Sequence, residues 1–195
     1  MEEQELSDGC RNGNRNARRI LYELYAEHML GVCMRYIGDK ATAQDLLHDG
    51  FIKIFASFDK FTWRGAGSLK AWLSRIMVNM AIEYLRKEKN SGMLFDDGRL
   101  ILQGDNTVKE EKLGLYSEPD ADKINLIPQS VIMQYIEELP LGYRTVFNLF
   151  VFEKKTHKEI ADMLGINEKS SSSQLLRAKS TLAKRINEYI KDNEI

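Results

Sequence analysis

The sequence predicts an all-α fold: two small helical domains joined by a flexible acidic linker, the C-terminal one a helix-turn-helix. Three observations carry this. Apolar residues recur at three- and four-residue steps on either side of a central stretch. Only three prolines interrupt the 195 residues, and a hydrophobic fraction of 43% is enough to build cores. Between residues 91 and 127 the period is lost, and eight Asp/Glu stand against four Lys/Arg. A gap of that length is rare inside a compact domain, so it reads as a linker between two.

Taken in order, residues 1–14 are acidic and then Asn/Gly-rich, which predicts a disordered tail. The first domain spans residues 15–90. Ile20, Leu21, Leu24, Tyr25, His28 and Val32 mark its first helix, which "IGD" at 37–39 ends. Leu46, Leu47, Phe51, Ile54 and Phe55 form the stripe of a second helix, from about Lys40 to Phe58. "DKFTWRGAGS", residues 59–68, is a loop with an aromatic cluster, two glycines and a serine placed to cap the next helix. That third helix runs from Leu69 to about Lys87, with Trp72 in core register with Leu69, Leu73 and Ile76.

The second domain spans residues 128–192. Ile132, Ile136 and Leu139 form a stripe that Pro140 ends, and "GYRTVFNLFVFE" supplies another helix. In "THKEIADML" a capping box is formed by Thr156 and Glu159, and Gly165 stops the helix. Ile160, Ala161 and Leu164 face inward, and Ala161 is small where a second helix crosses closely. Gly165 permits a tight turn, and Ile166 points back to the core. Leu175, Ala178, Leu182 and Ile186 are the inward face of the last helix. A small residue, a glycine four later and a longer amphipathic helix is the pattern of a DNA-binding helix-turn-helix.

Four consecutive serines, Ser170 to Ser173, occupy the first turns of that last helix, the part that enters a major groove. Ser170 or a neighbour is placed to cap it. Ser172, Ser173 and Gln174 are expected to project outward, toward phosphates or base edges. Lys169, Arg177, Lys179, Lys184 and Arg185 add charge, and Lys154 to Lys191 holds nine Lys/Arg against four Asp/Glu. Leu176 lies among them.

The remaining composition excludes several classes. Cys10 and Cys33 fit no metal spacing and are too few for a disulfide framework, so a reduced, cytoplasmic protein is expected. The N-terminal "MEEQELSDGC" is no signal peptide, and no apolar run reaches the ~20 residues of a membrane span. His28, His48 and His157 are scattered, and neither a P-loop nor an HExxH motif is present. No catalytic residue, metal or cofactor is expected.

With "AQDLLHDGFIKIFASFDKF" and "GSLKAWLSRIMVNMAIEYLRKEK" in one half, and "IEELPLGYRTVFNLFVFEKKTHKEIADMLGINEKSSSSQLLRAKSTLAKRI" in the other, the chain resembles the extracytoplasmic-function (ECF) sigma factors of bacterial RNA polymerase. The likeness covers roughly residues 15–90 and 128–190. It implies a subunit that binds core RNA polymerase, directs it to promoter DNA and promotes melting. The implied contacts are the clamp helices of the largest subunit and the flap, with an anti-sigma factor as a further partner. By resemblance Asp45, Leu46, Asp49 and Lys53 bind polymerase. Phe61, Trp63, Arg64, Arg75, Asn79, Arg86 and Lys87 serve the minus-ten element and melting. Lys169, Ser170, Ser172, Ser173, Gln174, Leu176, Arg177, Lys179 and Lys184 read the minus-thirty-five element. Two residues depart from the family: Glu83 stands where Asp is usual, and Ser171 where valine is frequent. An inward hydroxyl at 171 costs about 1–3 kcal/mol unless bonded, and a carbonyl one turn back is one acceptor. The residues alone also admit a helix-turn-helix regulator that never joins polymerase, or an enzyme or ligand binder with an incidental helical C-terminus.

Overall fold

A computed structural model describes residues 2–90, 95–96, 99–100 and 117–193. The chain divides into two compact units, Met1–Lys87 and Glu88–Ile195. The first holds α1 (Glu3–Arg11), α2 (Arg15–Ile37), α3 (Lys40–Ala56), a 3₁₀ turn (Phe58–Lys60) and most of α4 (Ser68–Asn90).

Helix α1 corrects the expectation of a disordered tail. Leu6 and Cys10, one turn apart, are 1% and 0% exposed and dock the helix. Gly9 allows a close approach, since a Cβ added there would stand 2.7 Å from Cβ of Ala17 in α2. Asn14 caps α2 through the amides of Asn16 and Ala17, and Gly38 ends it in the left-handed region at φ 77°. Asp39 caps α3 by accepting from Thr42 N at 2.8 Å. The buried face of α2 is Ala17, Leu21, Met29, Val32, Cys33 and Tyr36. Leu24 is 62% exposed and His28 is exposed, so the true stripe is rotated from the expected one. Helix α3 buries Leu46, Leu47, Phe51 and Ile54 as its period requires. Gly50 lets it press on α4, where an added Cβ would run into Met77.

The second unit holds β1 (Phe95–Asp96) paired antiparallel with β2 (Arg99–Leu100), then α5 (Ala121–Ile124), α6 (Gln129–Glu137), α7 (Leu141–Val151), α8 (His157–Leu164) and α9 (Glu168–Asp192). Its core joins Ile127, Ile136, Leu139 and Tyr143 to Ala178, Leu182, Ile186 and Ile190 along α9. The end of the expected linker therefore belongs to this unit. Ile127 is 5% exposed, half-buried Ile124 packs on the same core, and Asn187 Nδ2 donates to Ser117 O at 2.9 Å. A single helical turn is too short to show a period, which is why the sequence hides α5. Residues 91–94, 97–98 and 101–116 lie outside the described residues, and the expectation of a flexible acidic segment falls largely on them.

The capping box of α8 forms as expected. Thr156 N donates to Glu159 at 2.9 Å, and Glu159 N donates to Thr156 Oγ1 at 3.2 Å. The Thr156 amide, followed by Lys155, holds the Glu159 carboxyl down at about 2. Because its pKa falls on folding, this cap is whole above the ordinary carboxylate range and is lost as pH drops toward 2.

Candidate nucleic-acid interface

Helices α8 and α9 form the helix-turn-helix, joined through Gly165 at φ 64°. Ala161 is 5% exposed where the helices cross, and Ile166 N closes the turn on Ala161 O at 3.1 Å. Helix α9 starts earlier than the serines. Its N-cap is Asn167, whose side chain accepts from Ser170 N at 2.7 Å. The cap expected at Ser170 or a neighbour is thus displaced, because Asn167 is as good a cap and comes first.

The four serines then divide by helical phase. Ser172 and Ser173 are exposed, and Ser170 is half-buried. Ser171 is 0% exposed, and its Oγ lies 2.9 Å from His157 Nδ1 in a hydrogen bond. The hydroxyl therefore finds an imidazole on the preceding helix. The His157 ring also stacks on Phe150 of α7, centroids 5.0 Å apart. One histidine thus ties three helices together beneath the start of α9. Ser171→Ala is expected to cost about 1 kcal/mol of stability, read as a lower urea midpoint of unfolding with the denaturant slope unchanged. An unchanged midpoint would contradict the assignment.

Gln174 is a second correction. It is 7% exposed rather than outward, and its Oε1 has no partner among the described residues. Leu176 is 42% exposed and stands on the outer face in its stead. Lys169, Ser172, Ser173, Leu176 and Lys179 share that face at three- and four-residue steps. Lys179 Nζ sits 5.8 Å from the Phe150 ring centroid. Arg177 is half-buried, and its Nη1 donates to Tyr143 Oη at 3.3 Å, which leaves most of its donor fork unused by that bond. Lys184 is exposed and only loosely paired with Glu188, at 3.9 Å. Arg185 instead binds Glu138 at 2.6 Å and lies over Tyr135, joining α6 to α9.

In the first unit, Arg75, Asn79 and Arg86 are exposed on α4. At 100° per residue they fall within about 40° of one another. Lys87 lies aside and pairs with Glu83 at 3.3 Å, so the departure at 83 serves an intrahelical ion pair. The aromatic loop separates into two populations. Phe61 is 4% exposed and packs against Phe58 and half-buried Trp72, so it is a core residue and not a stacking platform. Trp63 is 39% exposed and Arg64 is exposed. Gly65 and Gly67 take φ 111° and 81°, conformations that favour glycine.

On α3, Asp45, Asp49 and Lys53 are exposed on one face. Leu46 is 9% exposed and belongs to the core. The exposed apolar side chain near that face is Ile52, 68% exposed, which the sequence expectation did not include. The spacing of Ile52 from Asp45 and Asp49, seven and three residues, was the available signal.

Residues 21–91 match the family model described as Sigma-70 region 2, and residues 129–182 match the one described as Sigma-70, region 4. The RNA polymerase sigma-H factor of Pseudomonas aeruginosa is 25% identical over 98% of this chain and 97% of its own length. The ECF RNA polymerase sigma factor SigW of Bacillus subtilis is 25% identical over 90% and 92% respectively. The ECF RNA polymerase sigma-E factor of Escherichia coli is 22% identical over 98% and 97%.

Proposed function

We propose a division of labour that starts from one fact: the chain belongs to the sigma-70 family of RNA polymerase sigma factors, of the extracytoplasmic-function type. It acts in transcription initiation with core RNA polymerase and promoter DNA, and the polymerase carries out RNA synthesis. In our reading α9 enters the major groove of the upstream promoter element. Lys169, Ser172, Ser173, Leu176, Arg177 and Lys179 face the DNA, while His157 and Ser171 fix the helix from behind. The loop at Trp63 and Arg64, with Arg75, Asn79 and Arg86 of α4, holds the opened strand of the downstream element. Asp45, Asp49, Ile52 and Lys53 of α3 dock on the clamp helices of polymerase, and the second domain meets the flap. An anti-sigma factor covers these faces when the protein is held inactive, and the protein works in the cytoplasm.

The observation that carries this reading is the outer face of α9. Short hydroxyls, one exposed leucine and cations line a helix whose other side is a core. Phosphate contacts position such a helix, and base contacts make it selective. Arg177→Ala should weaken binding of duplex promoter DNA by roughly 1–3 kcal/mol if its fork reads a base bidentately, and should relax selectivity at that base. Lys184→Ala should weaken all sequences alike and reduce the salt slope by about one unit. Titrations of holoenzyme on matched and mutated duplexes at several salt concentrations separate the two effects. Unchanged binding by both variants would refute the placement of α9.

A further inference from the structure

Both ends of α1 reach the loop that runs from Phe58 to α4. Near its start, Glu3 Oε2 accepts from Gly67 N at 2.7 Å and Oε1 accepts from Leu69 N at 3.0 Å. At its end, Arg11 Nη2 donates to Phe61 O at 2.8 Å and Nε donates to Phe58 O at 3.5 Å. Each tether places a charged side chain on main-chain groups, the stronger class of hydrogen bond. Glu3 also serves α4 as a capping residue supplied by another helix, where a carboxylate is favoured. The expected cap, Ser68, instead accepts from Arg64 N at 3.2 Å.

Between these anchors lie Thr62 to Ala66, with Trp63 and Arg64 exposed. The segment contains the positive-φ Gly65, is followed by the positive-φ Gly67, and has no helix or strand of its own. Left to itself such a stretch samples many conformations, and each must be given up when a ligand is bound. Helix α1 is docked by Leu6 and Cys10, and Arg11 also pairs with Asp8 at 2.9 Å. A fixed helix thus holds the loop from both sides.

We propose that α1 is a strut that presets the melting loop, with Glu3 and Arg11 as positioning residues that hold Trp63 and Arg64 ready for an extruded base. The proposal rests on the reading of that loop given above. It assigns a role to a segment that neither family model covers. Opening a duplex requires the unstacked base to be captured before it returns. A loop already ordered captures it without first losing its own freedom.

The test uses the full chain with core polymerase on one promoter in two forms, fully duplex and pre-opened by a mismatched bubble. Glu3→Gln is nearly isosteric but turns an amide NH₂ toward one of two main-chain N–H groups. Arg11→Ala removes the other tether. The double variant is expected to lower permanganate reactivity of duplex-promoter thymines about tenfold, as loss of charge-assisted bonds implies. Transcription from the pre-opened form should stay near wild type, and Arg11→Lys should recover part of the duplex deficit. A helix that only stabilises the fold would depress both templates together, and that outcome overturns the proposal. Wild-type opening by the double variant, with Trp63→Ala impaired, overturns the strut and leaves the loop reading standing. Normal opening by Trp63→Ala overturns the loop reading and the strut with it.

Discussion

An Asp45→Arg, Asp49→Arg variant is expected to lose stable association with core polymerase while remaining folded. Both carboxylates are exposed on α3 and take no part in the core, which is built by Leu46, Leu47, Phe51 and Ile54 of the same helix. Arg is a better helix former than Asp, and the substitutions bury nothing. Ile52, 68% exposed beside the row of Asp45, Asp49 and Lys53, adds an apolar side chain next to charge. That is the composition of an interface core with a polar rim. Close charge pairs across an interface couple by roughly 1.5–7 kcal/mol, and reversing two of them replaces attraction by repulsion. Affinity should fall by at least about a hundredfold, a loss of some 2.7 kcal/mol or more. Co-purification with core polymerase checks this, with far-ultraviolet circular dichroism showing an intact fold. Normal yield of the variant in the complex would place the docking face elsewhere.

The second large effect is expected in strand opening. Trp63→Ala with Asn79→Ala should leave polymerase association unchanged and suppress open complexes. Trp63 lies outside the Phe58, Phe61 and Trp72 cluster, so its removal does not open the core. Stacking of one base on an aromatic ring contributes about 1–3 kcal/mol. A lost hydrogen bond to the edge of an extruded base adds about 1 kcal/mol. Together these predict a fall in open complexes of about thirtyfold to nearly a thousandfold. Permanganate reactivity of promoter thymines reports it, and normal reactivity would remove this pocket from the account.

Much of the fold is legible in the chain because its signals are local. Thr156 and Glu159 bond each other within one turn, and Gly165 stops α8 by its own backbone freedom. Helices α3 and α9 show their buried faces in the period alone. What escapes the sequence is tertiary. Leu6 and Cys10 are only two apolar positions among acids, and nothing local shows that Glu3 and Arg11 close on a loop more than forty residues away. The partner of Ser171 is a histidine on another helix, fourteen positions back, where local bonding suggested a carbonyl. In the aromatic loop there is no period to tell Phe61 from Trp63, so only packing separates the buried ring from the open one. Leu46 and Ile52 are both apolar on α3, and the direction of the core decides which is free.

Two domains of this chain acting on one DNA are expected to confer promoter selectivity on core polymerase. Run-off transcription on fragmented genomic DNA with purified core polymerase measures that selectivity. Addition of the chain should produce discrete transcripts that core polymerase alone does not make, and Arg177→Ala should weaken them selectively. If the chain binds DNA by itself and adds no discrete transcript to core polymerase, it does not act as the polymerase's selectivity subunit.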